Sequence, residues 1–157
     1  MSADSHVRKQ LETAIFPDLG AMMEGYARAA VEVARAEYKR KLDFTVDSAE
    51  PLDEILVMLG ETPDTDVEFQ VRLWGSYLGE VLRRRYAGVW EMTNYPGELP
   101  GAPANPGPVS VPTVEVRGSR LFPLVKVYRR LTLGEEEDLP GFVAMVTNRL
   151  GKPARVN

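Results

Sequence analysis

The segment RLWGSYLGEVLRRRYAGVWE, residues 72–91, decides how the rest of the chain can fold. Its apolar residues recur at helical spacing, which predicts an α-helix over about residues 65–86. The apolar side of this helix consists of Val67, Val71, Trp74, Leu78, Val81 and Leu82, and the opposite side of Arg72, Ser76, Glu80, Arg83 and Arg84. The projection therefore predicts one apolar and one polar side.

Two glycines, Gly75 and Gly79, lie four residues apart at the edge of the apolar side. A glycine inside a helix is less stable than alanine by about 0.5 to 1 kcal/mol, because it loses more conformational freedom on folding. Two such positions predict that a neighbouring segment lies too close to the helix for a side chain. The same spacing is found in membrane helix dimers, but Arg72 and Glu80 argue against a lipid environment.

The chain before this helix predicts two further helices. Residues 17–41 are rich in alanine, glutamate and arginine and form a long amphipathic helix pattern. Residues 42–47 alternate apolar and polar side chains, as in a short half-buried strand or an extended connector. A second helix then begins with Asp47 or Ser48 as its N-cap and stops at Gly60.

The chain after residue 88 has the pattern of strands and turns. VWEMT predicts a strand, and the proline- and glycine-rich segment 94–108 predicts a long loop, of the kind that is either functional or disordered. The next segment predicts a β-hairpin, with Gly118 and Ser119 in a two-residue type II′ turn.

The last part of the chain predicts two helices. Pro123 opens the first of them and Gly134 ends it. Asp138 is the expected cap of the second, with Pro140 near its first position and Gly151 as its end.

These elements predict an α+β fold: three N-terminal helices packed on a small antiparallel β-sheet, followed by two C-terminal helices. The length favours one domain. We therefore assign residues 1–16 to an N-terminal tail or short helix and residues 17–157 to a single α+β domain.

Composition excludes several classes of function. Of the 157 residues, 44% are apolar and 27% are charged, as in ordinary globular domains. The formal net charge of −4 predicts no nucleic-acid partner, because phosphate contacts require a basic surface. The chain has no cysteine and one histidine, His6, so we predict neither a metal site nor a cofactor. No apolar run is long enough to span a membrane and no secretory signal precedes the helices, which predicts a cytoplasmic protein.

Two segments resemble a family of uncharacterised bacterial domains. The first carries an L-D-[YF]-[ST]-x-x-S motif, which matches Leu42, Asp43, Phe44, Thr45 and Ser48. The second carries G-x-Y-L-G-E-V and a tryptophan strand, which match Gly75, Tyr77, Leu78, Gly79, Glu80, Val81 and Trp90. The resemblance extends over roughly residues 42–150 and implies a shared fold, but it assigns no catalytic residue.

The candidate chemistry centres on Glu80 and its neighbours. Ser76 lies one helical turn before Glu80, but the G-x-S-x-G nucleophile motif is absent. Glu80 and Arg84 are spaced as a stabilising helical ion pair, worth about 0.2 to 0.5 kcal/mol if exposed. Residues 83–85, all arginine, either complement the dipole at the end of the helix or also contact an anionic partner.

Two functional classes remain. The first is a non-catalytic protein-binding or adaptor module, monomeric or homodimeric, that binds through segment 94–108, Trp90 and the hairpin edge. The alternative is a small hydrolase or small-ligand-binding domain with a cleft around Glu80. The candidate binding residues are Arg72, Tyr77, Glu80, Arg84, Trp90 and Tyr95, and none is assigned a catalytic role. Burial of Glu80 beside an arginine or tyrosine in a cavity would favour the second class, and a position on a flat exposed face would favour the first.

Overall fold

A computed structural model of the chain describes residues 3–62, 66–97, 99 and 109–154. Within these residues the chain forms six α-helices and one three-stranded antiparallel sheet, which confirms the α+β class. The helices are α1 (Ala3–Thr13), α2 (Leu19–Tyr38), α3 (Ala49–Gly60), α4 (Val67–Tyr86), α5 (Pro123–Leu133) and α6 (Leu139–Leu150). The strands are β1 (Val89–Asn94), β2 (Ser110–Val116) and β3 (Ser119–Leu121).

Helix α4 is the centre of the fold, because α2, α5 and β2 all pack against it. Every residue from 73 to 82 is buried, including Ser76 and Glu80, each with 0% exposure. The expectation of one apolar and one polar side is therefore wrong over this stretch, since the helix has neighbours all round. Ser76 is accommodated because its hydroxyl donates to the Arg72 carbonyl oxygen one turn earlier.

The two glycines of α4 lie where a neighbouring segment comes close to the helix, as predicted. A Cβ at Gly75 would lie 2.7 Å from the Cα atom of Leu124, in the first turn of α5. A Cβ at Gly79 would lie 2.1 Å from Trp90 Cη2 and 3.0 Å from Pro123 Cγ. Only glycine permits both contacts, so these positions dock α5 and β1 onto α4.

Four helices precede the sheet: the three predicted ones and α1, since residues 3–13 form the short helix that was one of the two alternatives for residues 1–16. Arg8 of this helix pairs with Asp66, which is also the N-cap of α4. Helix α2 begins after Asp18, whose Oδ1 accepts from the Ala21 N–H at 2.8 Å. Residues 42–45 form a connector and not a strand, and a 3₁₀ turn over Val46–Ser48 leads into α3.

The sheet has the order β1-β2-β3, and both strand pairs are antiparallel. Trp90 lies opposite Val114, and Val116 lies opposite Ser119. The hairpin turn consists of Arg117 and Gly118, not of the predicted Gly118 and Ser119. Both turn residues have positive φ, 50° and 82°, which is the pattern of a type I′ turn and not of type II′.

The two C-terminal helices begin and end as the sequence predicted. Pro123 is the first residue of α5, and Gly134 follows it. Asp138 caps α6 by accepting from the Gly141 N–H at 2.8 Å, and Gly151 follows with φ of 80°. Asp53 of α3 ties both helices to the core, because it accepts from Arg130 at 2.9 Å and from the Leu139 N–H at 3.0 Å.

Candidate functional site

Glu80 is fully buried at the junction of α4 and β1, with 0% exposure. Trp90 Nε1 donates to Glu80 Oε2 at 2.8 Å, and Arg83 pairs with the same oxygen. Arg84 Nε donates to Oε1 at 3.2 Å, and Arg83 Nη2 donates to it at 3.0 Å. Both carboxylate oxygens are therefore hydrogen-bonded by protein groups.

The environment of Glu80 keeps it ionised. Burial acts to raise its pKa, but hydrogen bonds from Arg83 and Trp90 outweigh burial, and the pKa is lowered from its ordinary value. The same pair raises the pKa of Arg83 through its hydrogen bond to Glu80. A general base needs the opposite tuning and a path to substrate, and a carboxylate with no exposed surface has no such path in this arrangement.

Tyr77 is also buried and connects α4 to the connector before α3. Its hydroxyl oxygen accepts from the Phe44 N–H at 2.8 Å and lies 2.7 Å from Ser48 Oγ. The rings of Tyr77 and Phe44 are 4.9 Å apart. Burial raises the pKa of Tyr77, so the phenol stays neutral.

The two motif segments, residues 42–48 and 75–90, meet at this point. Phe44 has a φ of 64°, a left-handed conformation that is rare for a large side chain. The Arg84 guanidinium lies 3.7 Å from the centroid of the Phe44 ring. Asp43 stabilises the same connector, because its Oδ1 accepts from the Thr45 hydroxyl at 2.7 Å. The first motif therefore closes over the second through packing, with Arg84 between them.

Trp90 lies in the interior and not on the predicted partner surface, since it is only 7% exposed. Its ring fills the space left by Gly79, and its N–H is satisfied by Glu80. Four of the six candidate residues thus form one connected cluster, in which Arg84 reaches the surface and the other three are buried. We call it the Glu80 cluster: Tyr77, Glu80, Arg84 and Trp90.

The other two candidates lie elsewhere. Arg72 donates to Glu68 at 2.8 Å on the surface of α4 and borders an apolar groove of about 540 Å³. Tyr95 follows β1, and its ring meets Phe122 edge-on with the centroids 5.1 Å apart. The structure therefore does not bring the six residues together into one cleft. The predicted role of segment 94–108 falls mostly on residues 98 and 100–108, which lie outside the described residues.

Sequence reasoning missed two surface features that flank the sheet. The first is the outer edge of β1, next to a groove of about 630 Å³ shared with the start of α2. The second is a cavity of about 840 Å³ between the sheet, α5 and α6. Two of the six candidate residues border these features: Tyr95 lines the cavity, and Trp90 lines the groove. Neither feature has a local motif, because each is assembled from segments far apart in the chain.

Comparison with protein-family models, curated proteins and solved structures found no match for this chain. No helix in the described part of the chain is both long and apolar enough to cross a membrane. Across the same residues, no three aspartate, glutamate or histidine side chains are grouped so that they could hold a metal ion.

Proposed function

We propose that the protein is a non-catalytic protein-binding module that receives an extended segment of a partner protein along the outer edge of β1. The proposal is carried by the backbone of this edge. The Tyr95 N–H donates to the Val109 carbonyl oxygen at 2.9 Å, directly across the β1–β2 register. In an antiparallel ladder the backbone N–H and C=O groups of alternate residues face the partner strand. Those of Glu91 and Thr93 therefore bond to β2, while those of Met92 and Asn94 point away from it.

The outward groups of Met92 and Asn94 make no backbone hydrogen bond within the described residues. Such an edge offers one N–H and one C=O from each outward-facing residue to an added strand. Val89 and Met92 have exposed fractions of 60% and 51%, which is high for apolar side chains in a strand. A partner segment would satisfy the backbone groups and cover these side chains at the same time.

The groove beside β1 indicates what kind of segment fits. Its walls include Leu19 and Gly20 of α2 and Trp90 of β1. Its two longer charged groups already have partners: Glu24 pairs with Arg28 at 2.7 Å, and Arg83 pairs with Glu80. A charged side chain of the partner would find no unpaired opposite charge at Glu24 or Arg83. The geometry therefore favours a partner segment that directs apolar side chains into the groove.

Glu80 is buried beside Arg83 and Arg84, but it lines none of the grooves and cavities described above, and this lack of a cleft favours the binding module over the hydrolase alternative. An active site around Glu80 would need an exposed carboxylate, and this carboxylate is bonded by Trp90, Arg83 and Arg84. The Glu80 cluster instead holds β1 on α4, so that the opposite edge of the strand is presented in a fixed position.

The test uses a substitution that removes one outward donor. Proline at position 92 deletes an N–H that faces away from β2, so the β1–β2 ladder is retained. Peptides selected from a random 12-residue display library would be titrated against the wild-type protein, Met92→Pro and Met92→Ala. We expect Met92→Ala to bind with a modest loss and Met92→Pro to bind about tenfold more weakly or worse, because a backbone hydrogen bond and its geometry are lost.

Amide hydrogen exchange gives a second readout on the wild-type chain. Binding should increase the protection of the Met92 and Asn94 amides while the Glu91 and Thr93 amides, already bonded in the ladder, change less. Protection of the same amides that depends on protein concentration alone would identify a second copy of this chain as the occupant. Peptides that bind Met92→Pro and wild type equally well, with no added protection at these amides, would rule out strand addition.

A further inference from the structure

The cavity between the sheet, α5 and α6 has the size of a small-molecule site. Its volume is about 840 Å³, within the usual range of about 300 to 1,000 Å³ for ligand pockets. One wall is the exposed face of β1 and β2, and the other walls are α5, the turn after it and α6. It shares no lining residue with the groove at the outer edge of β1. We call it the α5–α6 cavity.

The wall formed by α5 and the following turn carries a net positive charge. Lys126 Nζ lies 2.5 Å from Glu137 Oε2, and Arg129 Nη2 lies 2.9 Å from Glu137 Oε1. Lys126 and Glu137 have side-chain exposures of 15% and 18%, so solvent screens this group weakly. Two cations share one carboxylate, which leaves one positive charge in excess at the cavity.

A further cation borders the cavity at the end of α6. Arg149 is exposed to solvent at the cavity wall and makes no ion pair or hydrogen bond with any other described residue. Its place in the last turn of α6 is favoured by the helix dipole, but the carbonyl groups beyond it are bound by Arg117, which pairs with the oxygens of Leu150 and Lys152. The Arg149 guanidinium therefore keeps its donors free for a ligand.

The sheet wall of the cavity supplies acceptors that have no donor. Glu91 Oε1 is a buried atom without a hydrogen bond among the described residues, although the Glu91 side chain as a whole is 40% exposed. Arg120 Nε lies 3.4 Å from it, which is an ion-pair distance but not hydrogen-bond geometry. Glu115 lies on the same face of the neighbouring strand, borders the cavity and has no ion pair within the described part of the chain. Glu91 Oε1 therefore has a cation nearby but lacks a hydrogen-bond donor, and an ammonium group bound beside Glu115 would supply that hydrogen bond.

Between the two charged walls the lining is apolar and aromatic. Phe122, Val125 and Phe142 line this part of the cavity, and Met145 beside them is 60% exposed. We infer that the α5–α6 cavity binds a small zwitterion of di- or tripeptide size, with its ammonium group at Glu91 and Glu115 and its carboxylate at Arg149. The apolar lining then covers the body of the ligand, and a free amino acid would leave most of the volume to water.

Matched variants can test this inference, because Arg149 and Glu115 have no ion pair with another described residue that a substitution would break. The probe is a mixture of tripeptides randomised at each position, with free termini, and the same mixture N-acetylated or C-amidated. Binding is followed by the NMR shifts of the amides that line the cavity. We expect the free-termini mixture to shift them and each capped mixture to bind about tenfold more weakly, since each cap removes one charge-assisted contact.

The substitutions separate the two ends of the ligand. Arg149→Gln should weaken the binding of free-termini peptides but leave the affinity of C-amidated peptides unchanged. Glu115→Gln should also weaken the binding of free-termini peptides but leave the affinity of N-acetylated peptides unchanged. Arg35→Gln, which removes an equal charge from the exposed Arg35–Glu32 pair, should change neither. All three variants should melt within about 3 °C of wild type, because surface substitutions have small effects.

Two results would overturn the inference. The first is equal binding of capped and free mixtures, which would mean that the terminal charges are not recognised. The second is the absence of any shift at the cavity amides at peptide concentrations up to about 1 mM, the limit of weak specific binding.

Discussion

Replacing Gly79 with alanine tests the close approach on which the whole packing depends. The added methyl group would lie 2.1 Å from Trp90 Cη2 and 2.4 Å from Cζ2, against a ring held at its other end by Glu80. Carbon atoms in favourable contact are about 3.5 to 4.0 Å apart, so the ring must move by about 1 Å or more. That movement draws Trp90 Nε1 away from Glu80 Oε2, which now accepts at 2.8 Å.

The expected loss of stability combines three contributions. Overpacking a core destabilises by about 1 to 3 kcal/mol, and losing a hydrogen bond to a charged group by about 1.5 to 3 kcal/mol. Alanine offsets this by about 0.5 to 1 kcal/mol through its better helix propensity. Because the ring can share the movement with its neighbours, we expect a net loss of about 2 to 4 kcal/mol. For a chain of this length that lowers the melting temperature by about 4 to 16 °C.

Urea unfolding followed by circular dichroism and tryptophan fluorescence measures the effect. The matched control is Gly60→Ala at the end of α3, where an added Cβ meets nothing within 4 Å. That variant should be neutral or more stable by up to about 1 kcal/mol. If Gly79→Ala proves as stable as wild type while Gly60→Ala behaves as expected, the tight contact of Trp90 with α4 does not exist and the reasoning fails.

Two further predictions concern the Glu80 cluster. Tyr77→Phe should destabilise by about 1 to 3 kcal/mol, because the part-buried Phe44 N–H loses its acceptor. Tyr38→Phe, whose hydroxyl has no hydrogen bond to another described residue, should be neutral, and equal stabilities of the two variants in urea would contradict the assignment. The pKa of Glu80 is lower in the folded than in the unfolded chain. Its contribution to stability is therefore present above the unfolded value of about 4.3 and is lost as the pH falls from there through the lower pKa of the folded chain. Melting temperatures between pH 7 and pH 3 should therefore fall more steeply for wild type than for Glu80→Gln, and a carboxyl NMR titration of Glu80 with an ordinary or raised midpoint would refute this.

The ends of most elements could be predicted because local chemistry sets them. Asp138 and Gly151 delimit α6 through a side-chain acceptor and a positive φ, both of which short sequence patterns signal. Gly75 and Gly79 likewise indicated a close neighbour, since glycine inside a helix otherwise only weakens it. The identity of those neighbours, Leu124 and Trp90, depends on contacts between distant segments and was not predictable from spacing.

The candidate site was harder to predict for the same reason. A projection of one helix assumes a single buried side, whereas α4 is surrounded, so Glu80 had to be placed by its tertiary partners. The hairpin turn was misplaced by one residue because Arg117 adopts a positive φ that its side chain does not favour. The α5–α6 cavity joins residues such as Glu91 and Arg149 across more than fifty positions of the chain.

The alternating direction of the β1 backbone groups also bears on polymerisation. After Met92 and Asn94, the next outward position is Pro96, which has no N–H to donate. A strand that docks there finds no N–H to pair with at position 96, so the usable edge ends at Asn94. If a second copy docks by strand addition, the shortness of this edge limits the pairing and opposes growth of a continuous ribbon.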